Sequence, residues 1–220
     1  EMQRSLVGSE MCIRDSAGTT GAEVVPYETN SIEGSNSVLK RDWDRFLGDI
    51  AEAKLFNPDF IIANMHWGLE YERIPSREQR ELADWLLRQG VDLVIGSHPH
   101  VVQPMELRRG KEGVTDRLVV YSLGNFISNM SREHTDGGVM VKVVLGRKEL
   151  RRYIVSAQYS LIYSSRYKNE QGKEDIRVVP AASWLGKNQN SSFSVDSALI
   201  KYVNNTRLFL KGNNKEVEEY

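Results

Sequence analysis

The chain has 220 residues, 40% hydrophobic and 27% charged, and its 29 basic and 30 acidic residues leave a net charge of −1. That length can bury a full core in one domain, or two. The balanced charge leaves no footprint for nucleic acid or a polybasic membrane contact. No apolar run approaches the ~20 residues of a membrane span, and a single cysteine, Cys12, excludes an internal disulfide framework.

Residues 1–16 carry no helical or strand period and lack the apolar segment of a signal peptide. Ser5 to Ser16 resembles a translated sequencing-adaptor read-through, so residues 1–16 are set aside as an artefactual leader; an ordinary disordered terminus is the other reading. Residues 17–37 are rich in Gly, Thr, Ser and Asn and read as loop or edge strand. Asn36 or Ser37 could cap a helix whose stripe is Val38, Leu39, Trp43, Phe46, Leu47 and Ile50. Asn57-Pro58 stops it.

Phe60 to Met65 is short and apolar, a buried-strand signal. Ser76 and Gln79 have capping-box spacing, and the helix from Arg77 to Gln89 puts Leu82, Ala83, Leu86 and Leu87 on one face. Val91 to Ile95 is a second buried strand, ended by Gly96. The strand–helix–strand order predicts a βαβ unit with parallel strands and adjacent carboxyl ends.

Leu118 to Leu123 is a third strand, after a charged loop from Arg108 to Asp116. Gly137 to Leu145 and Leu150 to Tyr163 read as a hairpin joined by a Gly-Arg-Lys turn. Ile176 to Val179 is a short strand. Ser194 or Asp196 could cap a last helix running to about Leu210, and the tail, residues 211–220, reads as frayed.

Three of the four histidines, His66, His98 and His100, fall just past predicted strand ends, where ligands sit in α/β sheets. Imidazole is the commonest neutral metal ligand. Pro99 stiffens the His98–His100 pair and favours an extended His98. These three histidines are therefore candidate metal ligands, while His134 reads as an ordinary loop histidine. Glu70 could bind metal, act as acid or base, hold a substrate cation, or be a solvated carboxylate. Trp67 could wall a pocket or sit in the core. Asn125, past the third strand, could donate to substrate or serve a turn.

His66-Trp67-Gly68-Leu69-Glu70-Tyr71, Gly96-Ser97-His98-Pro99-His100-Val101 and Tyr121-Ser122-Leu123-Gly124-Asn125-Phe126 stand in an order and spacing that resemble the CapA family. That is the capsule-synthesis, poly-γ-glutamate-associated branch of the calcineurin-like metallophosphoesterases. The resemblance covers about residues 38 to 145. It implies a β-sandwich flanked by helices, with two divalent metal ions at the strand ends. It makes His66, His98 and His100 metal ligands and puts Asn125 in the pocket; beside it, the residues themselves offer Glu70 as a catalytic acid or base and Asn125 and Trp67 as contacts to substrate. The family's Gly-Asp and Asn-Asn-His motifs are not found here. The expectation is therefore the carboxyl-terminal half of such a domain, over residues 38–210.

The resemblance implies a metal-dependent hydrolase or transferase acting on an anionic envelope polymer or a small phosphorylated or γ-glutamyl substrate. Capsule-synthase membrane subunits would be its partners and the cell envelope its place. A non-catalytic polymer-binding or assembly factor is the alternative. A third reading is an inert fragment with an exposed edge strand.

Overall fold

A computed structural model describes residues 12–14, 40–111, 115–148, 151–181 and 197–220. Its architecture is mixed α/β, with two sheets and three helices among the described residues. The first sheet holds β1 (Cys12–Arg14), β2 (Ile62–His66), β3 (Leu93–Ser97), β4 (Met105–Arg108) and β5 (Arg117–Val120), in the order β1-β2-β3-β5-β4. The second holds β6 (Gly137–Lys148), β7 (Arg151–Lys168) and β8 (Glu174–Pro180), with β9 (Glu218–Glu219) paired to β7. The helices are α1 (Lys40–Leu55), α2 (Arg77–Arg88) and α3 (Ser197–Asn213). No helix among the described residues is long and apolar enough to cross a membrane.

Strands β2 and β3 are parallel and adjacent, with His66 opposite Ser97, as the βαβ pattern requires. Between them, α2 begins on the predicted capping box: Ser76 accepts from the Gln79 N–H and Gln79 accepts from the Ser76 N–H. Asp92 pins the start of β3. Its carboxylate accepts from the Ile61 N–H at 2.8 Å and from Arg117 at 2.6 Å, joining β2, β3 and β5 at their amino ends.

Alternation along the strands builds two apolar layers. Ala63, Met65, Val94 and Val119 face Leu82, Ala83 and Leu86 of α2 and Phe46 and Ile50 of α1. Leu93, Leu118 and Val120 face the second sheet, where Val139, Tyr159, Leu161 and Tyr163 meet Leu199, Tyr202 and Val203 of α3. The first sheet thus has helices on one face and the second sheet on the other.

The structure departs from the sequence reading in several places. Cys12–Arg14, within the segment set aside, forms an edge strand parallel to β2. Gly146, Arg147 and Lys148 are not a turn but strand, paired with Tyr153, Arg152 and Arg151, and a register shift between Val144 and Leu145 absorbs one extra residue. Met105–Arg108, unassigned from sequence, is β4, antiparallel to β5. The tail is packed rather than frayed: Val217 is buried, Asn214 Oδ1 accepts from the Met105 N–H, and Arg207 holds Glu219 through two hydrogen bonds. Residues 17–37, Val38 and Leu39, and the caps proposed at Ser194 and Asp196 lie outside the described residues.

Candidate functional site: an imidazole cluster at the strand ends

Strands β2 and β3 deliver His66 and the His98–His100 loop to one end of the sheet. The ring centroids of His66 and His98 are 4.5 Å apart, and those of His98 and His100 are 6.1 Å apart. The three candidate ligands therefore gather, successive rings tilted at 48° and 49° to one another, and His134 is not among them. Burial is the main reason that His66 and His98 are held below the usual histidine pKa. The charges of His98 and His100 add to the effect at His66; at His98, Glu70 opposes it and His100 adds to it. Both rings are accordingly neutral at neutral pH.

Several residues here adopt backbone conformations that L-residues rarely take. His98 has φ 99°, His100 φ 60° and Tyr71 φ 68°. The extended His98 expected from Pro99 is therefore not found. The loop must reverse so that Val101 and Val102 return to the core, where Val102 bridges Leu123. Such strain persists where surrounding contacts over-determine it. One such contact is the Tyr71 N–H donating to the Pro99 carbonyl at 2.8 Å, which ties the two site loops together.

A buried amide relay holds the Glu70–Tyr71 loop from behind. Gln79 Nε2 donates to Gln103 Oε1 at 2.9 Å, and Gln103 Nε2 donates to the Glu72 carbonyl at 2.8 Å. Gly68 has φ 86°, and the Gln79 amide fills the space a Cβ would need there, 2.6 Å away.

Asn125 makes its contacts within the protein. Its Nδ2 donates to the Thr135 carbonyl at 2.9 Å, so its Oδ1 faces His100 Nδ1, also at 2.9 Å. The proton of His100 thus sits on Nδ1, leaving the Nε2 lone pair outward. Asn125 thereby orients the His100 ring. Trp67 is buried, its indole N–H donating to the Tyr121 carbonyl at 2.8 Å, so it braces the sheet. Glu70 Oε1 lies 4.0 Å from His100 Nε2 and is half-exposed, within reach of anything bound at that nitrogen.

Sequence reasoning missed two partners. Tyr71 stacks near His100 at 6.1 Å and 28°, and the Arg132 guanidinium lies 4.1 Å over the Tyr71 ring. Tyr71 stood inside a quoted motif, but nothing in sequence marks Arg132.

The donors suit a divalent ion in kind, being imidazoles, one oriented through its second nitrogen. They do not suit the expected two-metal centre in number. Among the described residues no three His, Cys, Asp or Glu side chains are placed to hold a metal ion. Two ions ~4 Å apart also want an oxygen ligand between them.

Residues 10–130 match the family model "Bacterial capsule synthesis protein PGA_cap". The match takes in the whole imidazole cluster and Asn125. The chain is 34% identical over 119 residues to "PGA biosynthesis protein CapA" of Bacillus subtilis (strain 168), covering 54% of this chain and 30% of that protein. It is 35% identical over 126 residues to "Capsule biosynthesis protein CapA" of Bacillus anthracis, covering 57% of this chain and 28% of that one. The chain therefore spans under a third of the length of these curated relatives, and on the extent of the family match it belongs to the bacterial capsule synthesis PGA_cap family.

Proposed function

We propose that this chain takes part in building or processing a capsule polymer of the poly-γ-glutamate kind, and that the imidazole cluster is where it meets the polymer or its precursor. The observation that carries this is the gathering of His66, His98 and His100 at adjacent parallel strand ends, inside the segment matched by the family model. The imidazoles and the half-exposed Glu70 can exchange protons with a bound amide or carboxylate. Asn125 and the Gln79–Gln103 relay fix the geometry in which they would do so.

A second reading, a divalent-metal hydrolase or transferase, is favoured by the orientation of His100. Its Nδ1–H is held by Asn125 and its Nε2 makes no hydrogen bond, with Glu70 Oε1 4.0 Å away, as suits a metal-ligating imidazole. Under that reading His66, His98 and His100 would become ligands only after drawing together around the ion, since no three described side chains are placed to hold one. Such an ion would supply polarisation of a phosphoryl or acyl oxygen.

Calorimetric titration of the purified chain separates these readings. Poly-γ-glutamate oligomers should bind, and His98→Ala/His100→Ala should weaken binding; equal binding by the folded variant overturns the site assignment. In a separate titration, zinc or manganese taken up by the wild type and lost in the variant supports the metal reading. No uptake by the folded wild type removes it.

A further inference from the structure

We propose that Arg132, carried on the ring of Tyr71, is an anion-recognition arm of the imidazole site, and that it takes a side-chain carboxylate of the polymer. The inference rests on the capsule-polymer reading for its substrate, but its geometry stands apart from it. The guanidinium lies 4.1 Å above the Tyr71 ring, and that ring stacks near His100 at 6.1 Å. Arg132, Tyr71 and His100 thus follow one another from solvent to the cluster, where the His98 ring lies tilted at 49° to His100.

Tyr71 and Arg132 are both fixed by their backbones. Tyr71 is locked by its N–H to Pro99 and its left-handed backbone. The Arg132 carbonyl accepts from the Thr135 N–H at 3.2 Å and from its hydroxyl at 2.7 Å. Thr135 is fully buried, and its own carbonyl receives the amide of Asn125. The segment that orients His100 therefore also anchors Arg132.

The Arg132 guanidinium has no carboxylate within ion-pair distance among the described residues, although its neighbour Glu133 pairs with Lys201. An arginine stacked on an aromatic keeps its planar fork of donors free, and that fork matches the two oxygens of a carboxylate. Arg73, from the Tyr71 loop, is a second cation close enough to Glu133, the neighbour of Arg132, to feel its charge; it lies over the Phe209 ring at 3.8 Å, and its Nε is buried without a partner. A γ-linked glutamate chain presents one free carboxylate per unit. An arm beside the cluster would hold one unit while its neighbour meets the imidazoles.

The test uses the whole chain and two readouts. In NMR titrations with glutarate, a simple dicarboxylate, the Arg132 Nε–H and Tyr71 ring signals should shift. Glutarate that leaves Arg132 unmoved overturns the arm, whatever the polymer does. Inorganic phosphate that moves it when glutarate does not overturns the carboxylate assignment. With poly-γ-glutamate oligomers, Arg132→Gln should bind about tenfold more weakly, as expected for a lost charged hydrogen bond. Tyr71→Phe should keep the affinity and Tyr71→Ala should lose it. Oligomer affinity unchanged in folded Arg132→Gln overturns the arm while leaving the polymer reading intact. A glutarate response in a wild type that ignores the oligomer keeps the anion arm and removes the polymer reading.

Discussion

His100 Nδ1 lies 2.9 Å from Asn125 Oδ1, and this contact decides which nitrogen of the ring carries the proton. Because the Asn125 amide nitrogen is committed to the Thr135 carbonyl, its oxygen can only accept. Asn125→Leu should release the ring into a mixture of tautomers and leave a buried carbonyl without its donor, at a cost of about 1–3 kcal/mol. Long-range nitrogen–proton NMR correlations report the tautomer. A wild-type ring protonated on Nε2 would refute the assignment.

His66 and His98 make a prediction about acid. Both are held below the usual pKa by burial, which the charge of His100 reinforces. Between the ordinary histidine value of ~6.5 and the folded-state values, the unfolded chain binds more protons than the folded one. Their contribution is therefore fully present above ~6.5 and lost as pH falls through that window. Urea unfolding at about pH 7.5 and about pH 5.5 should show the wild type losing more stability on acidification than His66→Gln/His98→Gln. An equal loss would mean that other groups titrate instead.

The α/β order was legible because buried strands and amphipathic helices leave different periods, as Val91 to Ile95 and the α2 stripe show. The gathering of the histidines was legible because they follow strands that had to be neighbours. Strand β4 was not, because Met105-Glu106-Leu107-Arg108 carries charges that read as surface. Glu106 is buried all the same, since Arg108 holds it through two hydrogen bonds and Lys215 lies at 3.3 Å. Trp67 and Asn125 stood in the same motifs whether they faced substrate or the protein. Their hydrogen bonds to the Tyr121 and Thr135 carbonyls could not be read from sequence.

Gly96 sits where β3 passes under the site, and its neighbours leave no room for a side chain. A Cβ there would fall on the Tyr121 carbonyl and the Trp67 indole nitrogen, the two groups that hydrogen-bond each other at 2.8 Å. Gly96→Ala must push apart backbone and a buried ring, so it should cost about 2–4 kcal/mol. Gly48, in α1, has nothing within 4 Å of the corresponding position. Gly48→Ala should stabilise by about 0.5–1 kcal/mol through helix propensity alone. Thermal unfolding of the two variants should move the midpoint in opposite directions. A Gly96→Ala midpoint equal to wild type would mean that the strand end yields and that the histidine loop is not rigidly seated.

Asp116 ties the β4–β5 loop to the start of β7. Its carboxylate accepts from the Gly110 N–H at 2.9 Å, the Ile154 N–H at 3.1 Å and Arg109 at 3.0 Å. Burial alone would lift its pKa, but these three donors and the Arg109 charge outweigh it and hold the carboxyl below the usual range. Its stabilisation is therefore complete above the ordinary aspartate value of ~3.9 and disappears as pH falls through the lower folded-state value. Asp116→Ala should cost about 2–4 kcal/mol near neutrality, because two backbone N–H groups lose their acceptor. Asp116→Asn keeps the shape without the charge, so its stability should vary less between about pH 5 and about pH 3 than that of the wild type. Urea unfolding at both pH values measures this. If Asp116→Asn loses as much stability on acidification as the wild type, the titrating carboxylate lies elsewhere, and Asp116 acts through shape alone.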